Sequence, residues 1–150
     1  MTQQKSHIEQ AIALAKTNVS NGGGPFGAIV ITASGTIYEG VNRVTDNNDP
    51  TAHAEVTAIR NACQGEGTFD LTGATIYSSC EPCPMCLGAC LWARIENIYF
   101  AANRFDAADA GFDDAAFYEV LNSPPVYVVE TDEKTAPFDT WRNTTDKTKY

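Results

Sequence analysis

Positive charge is scarce in this chain. Ten Lys and Arg stand against nineteen Asp and Glu, which leaves a formal net charge of −9. That balance argues against tight binding to a phosphate backbone, which draws on a surplus of cations. Long apolar runs are missing as well: Ala11-Ile12-Ala13-Leu14-Ala15 stops at Lys16, far short of the ~20 apolar residues of a membrane span. The first residues lead into a periodic helix and not into an apolar signal core, so the expectation is a cytoplasmic protein with no membrane partner. Charged residues are only 19% of the chain and hydrophobic ones 43%, which fits neither a disordered chain nor a coiled coil. No internal repeat, low-complexity tract or interdomain linker breaks the 150 residues, a length that suits one domain over residues 1–150.

Hydrophobic periodicity gives the order of elements. Ser6-His7-Ile8-Glu9 reads as a capping box for a helix carrying Ile8, Ala11, Ile12, Ala15 and Val19. Asn21-Gly22-Gly23-Gly24-Pro25 ends it. Phe26 to Ala33 and Thr36 to Val44 read as two strands joined at Ser34-Gly35, a hairpin. The polar loop Thr45–Asp49 leads to Pro50 at a favoured helix start, with Ala52, Val56, Ile59 and Cys63 on one face. Further strands are expected at Thr75–Cys80, Asn97–Ala101 and Val126–Val129. Helices are expected from about Pro82, over Asp113–Leu121 and from Phe138 to about Lys147. The order predicts an α/β domain with a mixed five-stranded sheet, helices on both faces and parallel crossovers between the last strands.

Cysteine is where the chemistry concentrates. Four of the five (Cys80, Cys83, Cys86 and Cys90) fall within eleven residues, and in a chain without a secretory leader such clustering favours metal over disulfides. Cys83 and Cys86, three apart at a helix start, can aim both sulfurs at one ion, and the helix dipole there stabilises thiolates. His53, some thirty residues earlier, completes three ligands. Three protein ligands leave tetrahedral zinc one open position, the mark of a catalytic site. Glu55 is close enough to His53 to reach a water at that position without being a ligand. His-x-Glu with Pro-Cys-x-x-Cys is the signature of zinc nucleobase deaminases. Zinc brings the pKa of a bound water to roughly 7, and one carboxylate that both takes and returns protons serves the rest of the reaction.

Other readings of these residues stand beside this one. A fourth ligand from Cys80 or Cys90 would make a closed, non-enzymatic zinc module; both cysteines otherwise read as core, as does Cys63. His7 reads as a solvated side chain on the first helix. Trp92 fits either a pocket wall or the core.

Beyond the ligands, the segments Asn48–Arg60, Ser79–Ala89, Ala110-Gly111-Phe112-Asp113-Asp114 and the ending Trp141-Arg142…Tyr150 resemble the cytidine deaminase-like superfamily, within it the bacterial guanine deaminases. The resemblance runs from Gly24-Pro25-Phe26-Gly27-Ala28 to the last residue. It implies a three-layer α/β/α cytidine deaminase-like fold and one zinc per chain on His53, Cys83 and Cys86. It also implies Glu55 as proton shuttle, Phe26 as an aromatic wall, and Asn42 and Asp114 as purine contacts. Asp114 also sits in a stretch, Phe105 to Glu133, with eight acids and no base, so a solvated acidic face is its other reading. The implied reaction is hydrolysis of guanine, a small-molecule purine, to xanthine and ammonia. A guanosine or other small-ring aminohydrolase and a tRNA adenosine deaminase share the motifs, although the latter's polyanion suits the net charge poorly. The resemblance further implies a homodimer that exchanges its C-terminal segments, about residues 138–150, so that Tyr150 closes the partner's site.

Overall fold

The computed structural model describes residues 2–150. Helix α1, Gln3–Ser20, begins at Thr2, whose hydroxyl accepts from the Lys5 N–H. The cap therefore lies four residues before the expected Ser6 box. Strands β1 (Gly27–Ile31) and β2 (Ile37–Val41) form the expected antiparallel hairpin, with Ala28 opposite Gly40 and Val30 opposite Tyr38. A single helical turn, α2 (Val44–Asn47), occupies what reads as a polar loop in the sequence. Helix α3, Ala54–Glu66, starts at His53 and not at Pro50. The Asp49 carboxylate accepts from both the N–H and the hydroxyl of Thr51, which holds the chain in a turn there and postpones the helix.

Strand β3 (Thr75–Cys80), helix α4 (Pro84–Trp92) and strand β4 (Asn97–Ala102) make a parallel β-α-β unit, with Ile76 opposite Ile98. β1 also pairs antiparallel with β3. Helices α5 (Arg104–Asp109), α6 (Ala115–Val120) and α7 (Ala136–Asn143) complete the chain.

The described residues form a mixed sheet of four strands in the order β2-β1-β3-β4, one fewer than expected. The missing strand is Val126–Val129. Its residues are 74% to 90% exposed and pair with no strand among the described residues. A strand exists only by its ladder, so an apolar β-branched run without a neighbouring edge remains irregular.

Three layers result. On one face α1 packs against β1 and β3. On the other, α3 covers β1 and β2 and touches α4. The α3 face holds the main core: Ala28, Val30 and Ile76 from the sheet with Ala54, Ala58 and Ala62 from α3, joined by Cys90 of α4 and by Ala93 and Ile95 just after it. Val30 and Ile76 are fully buried, each stabilising the fold by about 1.5–3 kcal/mol. Small residues bring α3 close to the sheet. A Cβ at Gly40 would run into the Ala58 amide and the Ala54 carbonyl, so glycine there sets the height of the helix that starts at His53. His7 is not simply solvated: its ring lies 4.9 Å from that of Tyr77, which in turn stacks on Tyr99 at 5.1 Å. No helix of the described residues is long and apolar enough to cross a membrane.

Candidate metal centre and substrate cavity

Two helix N-termini converge on one point. His53 is the N-cap of α3 and Cys83 the N-cap of α4, with Pro84 at the first helical position and Cys86 one turn in. The orphan N–H groups and positive dipole ends of both helices favour anionic sulfur there. Nδ1 of His53 lies 3.6 Å from Cys83 Sγ and 3.4 Å from Cys86 Sγ, and the three ligand atoms all fall within 4.8 Å of one another. Zinc held tetrahedrally at ordinary bond lengths requires a nitrogen–sulfur separation of about 3.6 Å. The donor set and its spacing fit zinc, and Cys80 and Cys90 are not part of this group.

The three groups also shift one another's titration. Cys86 and His53 beside it draw the Cys83 thiol below its ordinary range, while Cys86 is pushed up by Cys83 and by burial. His53 is raised, first by its hydrogen bond to Cys83. Outside the ligand set, burial pushes Cys80 to about 11 and Cys90 to about 12. They are ordinary buried thiols, as expected, and Cys63 is half-buried against the same core. Glu55 is buried at the start of α3, and desolvation raises its carboxyl to about 7.

The loops that carry the ligands are tied to the sheet. The Ala52 carbonyl, just before His53, accepts from the Arg43 N–H at the end of β2. Before Cys83, the Glu81 N–H donates to Ala102 O and the Glu81 carboxylate accepts from the Arg104 N–H. The second ligand loop is thereby fixed to the β4–α5 junction.

A cavity of about 590 Å³ opens over the centre, reaching His53, Glu55 and Cys83 at its floor. Phe26, Asn42 and Asp114 line it, as the resemblance implies. Phe26 meets Phe112 edge-on at 5.0 Å. Asn42 turns its Oδ1 to the Val44 N–H, and its amide N–H groups meet no acceptor among the described residues. Asp114 Oδ1 is buried and unpaired, and burial raises the carboxyl above its ordinary range. Phe112 and Phe117 are lining residues that the sequence analysis does not single out by role, although Phe112 lies within its Gly-Phe-Asp-Asp segment.

Two candidate contacts lie outside this chain's own cavity, and for Tyr150 the expectation is the partner's site. Trp92 is 69% exposed at the end of α4, in neither this cavity nor the core. Tyr150 is 73% exposed, with its ring 6.3 Å from those of Trp92 and Phe69 of its own chain.

Residues 1–102, which include all three ligands and Glu55, match the family described as the cytidine and deoxycytidylate deaminase zinc-binding region. The chain belongs to this family. Within the deaminase family it is 47% identical to the guanine deaminase of Bacillus subtilis over 97% of this chain and 98% of that one. The X-ray structure of a B. subtilis guanine deaminase superposes with a TM-score of 0.94 at the same identity, covering 100% of this chain and 99% of the other. A guanine deaminase from Nitrosomonas europaea is 30% identical with a TM-score of 0.70, covering 75% of this chain and 65% of that one. A tRNA-specific adenosine deaminase of B. subtilis is 38% identical over 68% of this chain and 63% of its own. The chain is thus a zinc-binding deaminase, with His53, Cys83 and Cys86 placed to hold the ion.

Proposed function

We propose that the protein hydrolyses guanine to xanthine and ammonia in the cytoplasm, a setting that its five free cysteines support. The observation that carries the choice of base is the buried, unpaired Asp114 Oδ1 at the cavity wall. An orphaned buried acceptor costs stability unless a ligand donates to it, and guanine offers adjacent donors in its ring N–H and exocyclic amine. Asn42 supplies the complementary donor, since its oxygen is already occupied by Val44. Identity to the B. subtilis guanine deaminase over almost the entire chain supports the same reading.

His53, Cys83 and Cys86 hold zinc, which when bound makes water a usable nucleophile near neutral pH. Glu55 takes a proton from the attacking water as its oxygen adds to C2, and delivers that proton to the adjacent ring nitrogen. It then moves the remaining hydroxyl proton to the amine, which leaves as ammonia while the C2 carbonyl forms. Phe26 and Phe112 close the cavity with apolar edges, and Asp114 and Asn42 orient the base. The net charge of −9 suits a free base better than a polynucleotide.

The active form in this reading is a homodimer with exchanged C-terminal arms. The outer edge of β4 has no ladder partner among the described residues, and Tyr99 and Phe100 on it are exposed. Val126–Val129 is an exposed apolar segment of strand character that pairs with no strand among the described residues. Exchange between two copies satisfies both. Tyr150 then belongs to the partner's cavity, and Trp92 beside it to the subunit contact.

Ammonia release from guanine by the zinc-loaded protein and its Glu55→Gln variant tests the proposal. Glu55→Gln should retain one zinc per chain and lose about 10²–10⁴-fold in turnover. An active variant, or one that loses its metal, would overturn the assignment of Glu55.

A further inference from the structure

Asn18 is the one polar residue among the buried positions of α1. Its amide nitrogen donates to two main-chain carbonyls, Gly24 O at 2.8 Å and Asn42 O at 2.9 Å. Its own carbonyl accepts from the Gly23 N–H at 2.8 Å. One side chain therefore ties together the Gly22–Gly24 loop and the end of β2, both of which line the cavity, while Asn18 itself does not reach it. The same knot includes Phe26, whose N–H donates to Gly24 O and whose carbonyl accepts from the Asn42 N–H. Asn42 is held at its carbonyl by Asn18 and at its Oδ1 by Val44, so the direction of its free amide N–H groups is fixed from both ends. No other residue type of this size offers two N–H donors to two carbonyls from that helix position.

We infer that Asn18 is a positioning residue for base recognition: it fixes Asn42 and the glycine loop so that Asn42 presents a donor to the substrate. The inference rests on the reading of Asn42 as a base contact. Its effect belongs first to binding: the glycine loop and Asn42 line the cavity directly, whereas the loop that carries His53 and Glu55 meets this knot only through the Arg43 N–H donated to Ala52 O.

The test is a double-mutant cycle on guanine kinetics, with zinc content measured on each preparation. Asn18→Ala should raise KM about tenfold, the worth of one buried hydrogen bond, with kcat and zinc unchanged. In an Asn42→Ala background it should raise KM by less than about twofold, since the residue it positions is already gone. Gly23→Ala is the second variant. A Cβ there would sit 2.5 Å from the Asn18 amide nitrogen and 2.9 Å from its Cγ, displacing the amide without altering α1. It should give the same KM rise and the same loss of effect beside Asn42→Ala, and it decides the matter alone if Asn18→Ala fails to fold. Additive KM effects would show that Asn18 acts independently of Asn42, and an unchanged KM, with or without loss of kcat and zinc, that it acts only on stability; either overturns the inference. If Asn42→Ala itself leaves KM unchanged, the reading of Asn42 fails and takes this inference with it, an outcome distinct from additivity.

Discussion

Replacing Asp114 by Ala should move activity and stability in opposite directions. Asp114 Oδ1 is buried without a partner, and desolvation is the main reason its carboxyl titrates above the ordinary range. An acid whose folded pKa is raised favours the folded state while protonated, and that contribution is lost as pH rises through the folded value. At neutral pH the ionised group therefore weighs against folding. Removing an orphaned acceptor relieves a cost of roughly 1–3 kcal/mol, so the melting temperature of Asp114→Ala at pH 7 should match or exceed that of the parent. The gain should shrink as pH falls toward the ordinary carboxylate range. Catalysis should go the other way. One charge-assisted hydrogen bond to the base is worth about 1.5–3 kcal/mol, which corresponds to roughly 10- to 150-fold in kcat/KM. Thermal melts at two pH values, guanine kinetics and metal analysis on one preparation check all three parts. Unchanged kcat/KM for guanine, or a fall in stability matching the fall in activity, would refute the reasoning.

Further outcomes follow from the same geometry. Gly40→Ala places a methyl group against the backbone of α3 at Ala54 and Ala58; overpacking of this kind costs about 1–3 kcal/mol or more, and urea denaturation should show a lower midpoint together with weaker zinc retention. His53→Ala or Cys86→Ala should abolish stoichiometric zinc, whereas Cys90→Ala, a core thiol, should keep it; metal analysis separates these. Deleting residues 147–150 should impair guanine turnover and spare zinc, and the parent should sediment as a dimer; a fully active truncated protein or a monomeric parent would remove the role of Tyr150.

Much of the centre is legible in the sequence because its determinants are local. His53 and Glu55 lie on one helix start, and Cys83 and Cys86 on another. Spacing alone therefore fixes their relative positions once both helices meet over the sheet. Phe26, Asn42 and Asp114 are assembled from three separate elements, and only family resemblance brings them forward. The role of Asn18 is invisible in the chain because its partners are carbonyls up to 24 residues away, and carbonyls carry no sequence signal. The fifth strand is misjudged for a different reason. Val126–Val129 has the composition of a strand, but a strand also needs a ladder partner, and among the described residues this segment has none. The early helix start at Thr2 and the late one at His53 show cap geometry overriding composition: the Thr2 hydroxyl reaches a free N–H, while the Asp49–Thr51 turn consumes the residues that Pro50 would have led into a helix.

The central claim, a zinc aminohydrolase built for guanine, is tested most directly by ammonia release from the zinc-loaded protein across guanine, guanosine, adenine, cytosine and cytidine. A cavity that pairs an Asp114 acceptor with an Asn42 donor leaves both groups unsatisfied when the base lacks the matching edge, and such mismatch costs about 10⁴–10⁵-fold in sites built on hydrogen bonds. Guanine should therefore exceed adenine, cytosine and cytidine in kcat/KM by orders of magnitude, with guanosine well below it. Comparable rates for cytosine and guanine, or ammonia from guanosine in preference to guanine, would contradict the account.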